Sequence, residues 1–320
     1  MNNTSPTIGS NNASSSTTKE VPSKQEGIAI CSVFVLEAVL IVLGNLLTIV
    51  LFALNKELRK KSLYLVINMA FADFILGAVS IPSLIYAIGG EYYLWTATEN
   101  WFFYTFFNVL DAVFFQVSLS SAALISVERC YAIYWPLKHR TLSKRTYRIT
   151  IFKAWILSIV VSTIFYVLSV LTSDKHVIYA MSSYFLILLF IVCGCYLSIW
   201  RKFQKRTSSL QQNRALQNKR LTTTLLLVSA VALLSWLPLL IMNSAVRFDS
   251  DLTVSPIAFY IAVVLTYSNS FLNPIVYALR IPEFSHALRL CCFNSEPERR
   301  DSRAVALMPV LQQETLLSDP

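Results

Sequence analysis

A few ionisable side chains interrupt otherwise apolar stretches of this sequence, among them Glu37, Asp73, Asp111, Glu128 and Arg129. Placing a charge at membrane depth costs roughly 2.5 to 3.5 kcal/mol on insertion scales, so each such residue points to binding or switching. Asp111 and Arg129 are 18 residues apart. On a helix that is five whole turns, about 27 Å, so the two share one face at opposite ends. Asp111 is thereby placed to line an outward cavity or to bond a neighbouring helix, and Arg129 to sit beside Glu128 at the inner mouth. Asp73 has Asn45, Ser118, Asn269, Ser270 and Asn273 as prospective partners on other helices. Such carboxylate, hydroxyl and amide groups together can hold a cation, where a lone buried carboxylate would instead take up a proton. Enzyme chemistry lacks parts: His139, His176 and His286 are far apart in the chain, with no metal-ligand spacing and no nucleophile motif.

The elements that must position these groups follow from composition. Of 320 residues, 55% are apolar and 14% charged, and the mean hydropathy is +0.55, which excludes a water-soluble globular domain. The formal charge of +9 would suit nucleic acid, but the basic residues flank apolar runs, so the implied partner is the lipid bilayer and not nucleic acid. A span needs roughly 20 mostly apolar residues. Seven stretches qualify, near 27–54, 63–88, 101–134, 149–171, 177–200, 221–246 and 256–280. Helices are the only option, because unpaired amides in lipid cost several kcal/mol and alternating barrel strands are absent. The fold class is an all-α membrane protein, a seven-transmembrane helix bundle with a short amphipathic helix after the last span.

Lys and Arg counts in the connecting loops set the orientation. The loops 55–62, 135–148 and 201–220 hold four, five and seven, against none, one and one in 89–100, 172–176 and 247–255. This places the N-terminus outside and the C-terminus in the cytoplasm. Residues 1–26 read as a disordered extracellular tail with glycosylation sequons at Asn2, Asn3 and Asn12. Residues 27–280 form the membrane domain. Residues 281–293 form the amphipathic helix, ending near Cys291 and Cys292, which are candidates for palmitoylation. A cytoplasmic tail, 294–320, follows. Trp236-Leu237-Pro238 and Asn273-Pro274 with Tyr277 place helix-breaking prolines inside two spans, creating hinges.

Taken in order, Gly44-Asn45, Asn68 with Ala72-Asp73, Glu128-Arg129-Cys130, Trp155, Trp236-Leu237-Pro238, Asn273-Pro274 with Tyr277, and Phe284 resemble the motif set of rhodopsin-like (class A) G-protein-coupled receptors, over residues 27 to 293. The resemblance implies a plasma-membrane receptor that binds an extracellular ligand and activates a heterotrimeric G protein, with arrestin and receptor kinases as further partners. It implies a core of Asp73, Asn45, Ser118, Ser270 and Asn273 that takes an allosteric sodium ion, with no other cofactor. It implies a ligand site at Asp111, Phe115, Trp236 and Tyr267. Coupling and activation would fall to Glu128, Arg129, Tyr196, Pro274 and Tyr277. Where the family often carries an acid low on the sixth span, this chain has Asn218, which implies a loosely locked inactive state and basal signalling.

Two features divide the ligand class. Asp111 and Tyr267 match the positions at which biogenic-amine receptors hold an ammonium, a charge-assisted pair plus a hydrogen bond. Against this, Leu239, Leu240 and Leu188 replace the aromatics and the proline usual in those receptors. Tyr104 stands where the family's bridging cysteine lies, and the five-residue loop 172–176 has none. A missing bridge and a short loop resemble the group of melanocortin, cannabinoid and lysophospholipid receptors, while adenosine receptors, which usually keep bridging cysteines, match less well. An amine is the favoured ligand, with a lipid, peptide or nucleoside as the alternative. An ion-coupled transporter is the remote alternative, without the broken, Gly-rich helices of that class.

Overall fold

The computed structural model describes residues 23–98, 100–171, 174–204, 222–224, 226–227, 229–248 and 252–293. Among them there is no strand, and seven helices are long and apolar enough to cross a membrane. These are α1 (Lys24–Leu54), α2 (Tyr64–Glu91), α3 (Trp101–Tyr134), α4 (Lys144–Leu171), α5 (Asp174–Gln204), α6 (Thr222–Val246) and α7 (Pro256–Arg280). The amphipathic helix α8 (Pro282–Phe293) follows. The first helix starts three residues before the predicted span, so Lys24, Gln25 and Glu26 are helical and do not belong to a disordered tail.

Lipid offers apolar side chains no reason to hide, so close packing and polar ties hold such a bundle together. On α1, Phe34, Glu37, Ile41, Asn45 and Thr48 are buried at helical spacing, whereas Val33, Leu36, Val39, Leu40 and Leu43 are exposed toward where lipid would lie. Helix α3 runs through the middle of the bundle and packs on α2, α4 and α5. Its buried run of Ser120, Ser121, Ala122, Ala123 and Ser126 is small enough to let backbones approach closely. The Asn100 side chain caps α3, accepting from the Phe102 and Phe103 amides at 2.9 and 3.4 Å.

Three departures from ideal helix shape the site. Residues Leu76–Ser80 form a π turn within α2, just before Pro82, where the sequence reading expected one uniform helix. Helix α6 is interrupted at Ser235 and Trp236 ahead of Pro238, and the Thr266 hydroxyl of α7 reaches the Ser235 carbonyl at 3.3 Å. In α7, Pro274 has no amide to offer the Ser270 carbonyl. Asn45 of α1 takes its place, donating through Nδ2 to that oxygen at 2.9 Å.

Candidate functional site

The inner half of the bundle is organised around Asp73. Its Oδ1 accepts from Ser118 at 2.7 Å and Ser270 at 2.9 Å, and its Oδ2 accepts from Asn273 at 2.9 Å. One carboxylate thus joins α2, α3 and α7. The Oδ1 atoms of Asn45 and Asn269 are buried with no hydrogen-bond partner. Carboxylate, hydroxyl and amide oxygens of this kind are hard donors, which suit sodium and not a transition metal. Among the described residues no cluster of three His, Cys, Asp or Glu exists for the latter. Beside this hub, Asn68 donates to Ser121 at 2.9 Å and accepts from the Trp155 indole at 2.9 Å, tying α2 to α3 and α4.

Nearer the Trp101 end of α3, the Tyr267 hydroxyl donates to Asp111 Oδ1 at 2.8 Å, joining α7 to α3. Phe115, one turn below Asp111, meets the Trp236 ring edge-on at 4.1 Å between centroids and lies 5.9 Å from Tyr267. Trp236 also stacks on Phe185 of α5 at 6.2 Å. The four residues expected to bind ligand are therefore contiguous, and Trp236 sits at the break in α6.

At the opposite end of α3, Glu128 and Arg129 form a close ion pair in a largely buried setting. Two groups join Glu128 that the sequence reading did not single out. His139, in the short helix Pro136–Thr141, lies 2.7 Å from Oε1, and the Tyr147 hydroxyl of α4 donates to the same oxygen at 2.9 Å. Sequence gave no pattern for this triangle, because the loop had to fold back first. Tyr277 is fully buried, its hydroxyl without a hydrogen-bond partner and its ring edge-on to Phe284 of α8 at 6.2 Å. Tyr196 is not gathered in: it is 41% exposed and packs on Trp200. Cys291 is an exposed free thiol on α8, as a lipidation site requires. The side chain of Cys292, the sequon residues Asn2, Asn3 and Asn12, and Asn218 lie outside the described residues.

Against this geometry stand the comparisons with known proteins. The family model described as the seven-transmembrane receptor (rhodopsin family) matches residues 44–177 and 172–277. The chain belongs to this family. It is a G-protein-coupled receptor of the rhodopsin-like class and a multi-pass membrane protein. The receptor is 25% identical to adenosine receptor A3 of Canis lupus familiaris over 78% of its own length and 86% of the relative's. It is 27% identical to adenosine receptor A2a of the same organism over 82% of this chain and 72% of the relative. A GQ-coupled rhodopsin of Mizuhopecten yessoensis is 25% identical over 82% of this chain and 60% of that protein. The cysteine argument set adenosine receptors low; their presence here corrects that weighting, since the motifs of seven spans contribute more to overall likeness than one bridge.

Proposed function

We propose that the receptor recognises a cationic amine from the extracellular side and activates a heterotrimeric G protein. The observation carrying this reading is the Asp111–Tyr267 pair, a carboxylate already oriented by a phenol and flanked by the aromatic floor of Phe115 and Trp236. An ammonium at Asp111 gains a charge-assisted hydrogen bond where bulk water is scarce. Its arrival competes for the oxygen that Tyr267 holds, and the contact passes through Phe115 to Trp236 at the α6 break. Agonist then favours whichever arrangement of α6 and α7 binds it better.

In the same reading, the N-terminus is extracellular, glycosylated at Asn2, Asn3 or Asn12, and the C-terminus is cytoplasmic in the plasma membrane. Asp73, Asn45, Ser118, Ser270 and Asn273 hold sodium in the resting state. Arg129 leaves Glu128 to meet the G protein, with Tyr277, Pro274 and Tyr196 rearranging around it. Arrestin and receptor kinases act on the same face, and Cys291 and Cys292 anchor α8 through palmitate.

A second reading, a nucleoside ligand, is favoured by the likeness to adenosine receptors. Second-messenger output of cells expressing wild type or Asp111→Asn separates the two. Truncating one side of a buried charge pair costs about 2 to 5 kcal/mol. An amine agonist should therefore lose roughly 30-fold or more in potency on Asp111→Asn. A nucleoside response that ignores the substitution refutes the amine reading.

A further inference from the structure

Glu37 is buried in α1, 3% exposed, and neither of its carboxylate oxygens has a hydrogen-bond partner. Its neighbours along the helix face, Phe34 and Ile41, are fully buried in an apolar cluster that includes Leu76, Ile81 and Tyr267. A bare carboxylate in such surroundings is costly, so the acid takes up a proton unless something cationic meets it. The sequence supplies nothing: residues 27–54, 64–91, 101–128, 222–246 and 256–279 contain no Lys, Arg or His. Tyr267 belongs to the same buried cluster as Phe34 and Ile41, the residues on either side of Glu37 along its helix face, and its hydroxyl bonds Asp111. Two acids thus flank one phenol, whose single proton is committed to Asp111. The buried Ser80 hydroxyl, from the π turn of α2, stands beside Asp111 without a partner at hydrogen-bonding geometry.

A further acid stands at the end of α2: Glu91 accepts from the Tyr260 hydroxyl of α7 at 2.8 Å. The adjacent Tyr92 phenol is held above its usual range by burial first, then by the charges of Glu91 and Glu26. Glu91 at this end of the bundle adds to the attraction that Asp111 and Glu37 exert on cations, most steeply on doubly charged ones.

We propose that Glu37 is a second cation subsite of the ligand pocket, so that the receptor's ligand carries two basic nitrogens, one for Asp111 and one for Glu37, on either side of Tyr267. The site then selects a diamine or an amine bearing a second strongly basic group over a monoamine of equal length. This rests on the amine reading above and adds to it the charge and reach of the ligand.

The test compares α,ω-diaminoalkanes from 1,4-diaminobutane to 1,8-diaminooctane with n-alkylamines of matched length. The readout is second-messenger output from wild type, Glu37→Gln and Asp111→Asn at matched surface expression. On wild type, one chain length of diamine should exceed its monoamine by about tenfold or more in potency, and Glu37→Gln should collapse that ratio toward one. Asp111→Asn should lower both series. A ratio on Glu37→Gln equal to that of wild type overturns the second subsite while leaving the amine reading intact. If neither series acts on or stabilises wild type, the amine reading and the subsite fall together. A variant-free measurement guards against misfolding: 1,6-diaminohexane should raise the unfolding midpoint of the purified wild-type receptor more than hexylamine does. Equal shifts across the whole length series overturn the proposal.

Discussion

Replacing Asp73 is the most informative perturbation of the core. The carboxylate accepts three side-chain hydrogen bonds from two other helices, and Asp73→Ala removes all of them. The three donors left behind are not equal. Ser118 and Ser270 are helical hydroxyls and can rotate to carbonyls one turn back on their own helices, as Ser121 and Ser126 already do at 2.6 and 3.1 Å. The Asn273 amide, aimed across the bundle at Asp73, is the donor least able to re-pair without moving its whole side chain. One orphaned buried donor costs about 1 to 3 kcal/mol, and the loss of two charge-assisted bonds adds a further ~1 kcal/mol after the hydroxyls re-pair. The sum is about 2 to 4 kcal/mol. At roughly 2 to 4 °C per kcal/mol for a protein of this size or somewhat smaller, the unfolding midpoint of detergent-solubilised receptor should fall by about 4 to 16 °C. The hub also predicts a specific salt effect. Sodium chloride should raise the wild-type midpoint over equimolar choline chloride, and neither Asp73→Ala nor Asp73→Asn should respond. A midpoint within about 1 °C of wild type for the alanine variant refutes the reasoning about orphaned donors. A sodium shift that persists in that variant refutes the assignment of the ion to this carboxylate.

Asn68 joins three helices through one amide, so Asn68→Ala should cost about 1 to 3 kcal/mol and Trp155→Phe, which removes a single bond, about 0.5 to 1.5 kcal/mol, read by the same thermal assay. Tyr147→Phe deletes one of the bonds that hold Glu128 in its resting place; a loss of about 1 kcal/mol from the resting state should raise basal second messenger on the order of fivefold, measured without agonist. A Cβ on Gly89 would overlap the Trp95 ring, so Gly89→Ala should expel that indole from its bond to the Tyr86 carbonyl and lower surface expression, checked by flow cytometry with an outer epitope tag.

The sequence made the seven spans readable because each is long, apolar and bounded by charge, and the helices begin and end within a few residues of those limits. The polar core was equally readable, since a carboxylate in a span has few ways to be satisfied and its partners are the other polar residues at matching depth. Asp73 with Ser118, Ser270 and Asn273 shows this. What escaped were groups whose meaning depends on tertiary return. His139 and Tyr147 are unremarkable basic-loop residues until the short helix after Trp135 brings the first, and the start of α4 the second, onto Glu128. Glu37 is visible as an acid in a span, but its isolation is a property of what surrounds it. The π turn in α2 leaves no periodic trace in a stretch that is apolar on nearly every side.

That turn separates α2 into two parts with different freedom. Below Leu76 the helix is committed to Asp73 and Asn68 and through them to three neighbours. Above Ser80 it runs from Ile81 to Glu91. A helix advances about 100° per residue, so adding or removing one residue within Leu76–Ser80 would rotate the entire upper part by that angle and leave the lower part where it is. The register that buries Ile81 and Ile88 and carries Glu91 to the end of α2 is thus set at this turn and not by the lower part of the helix.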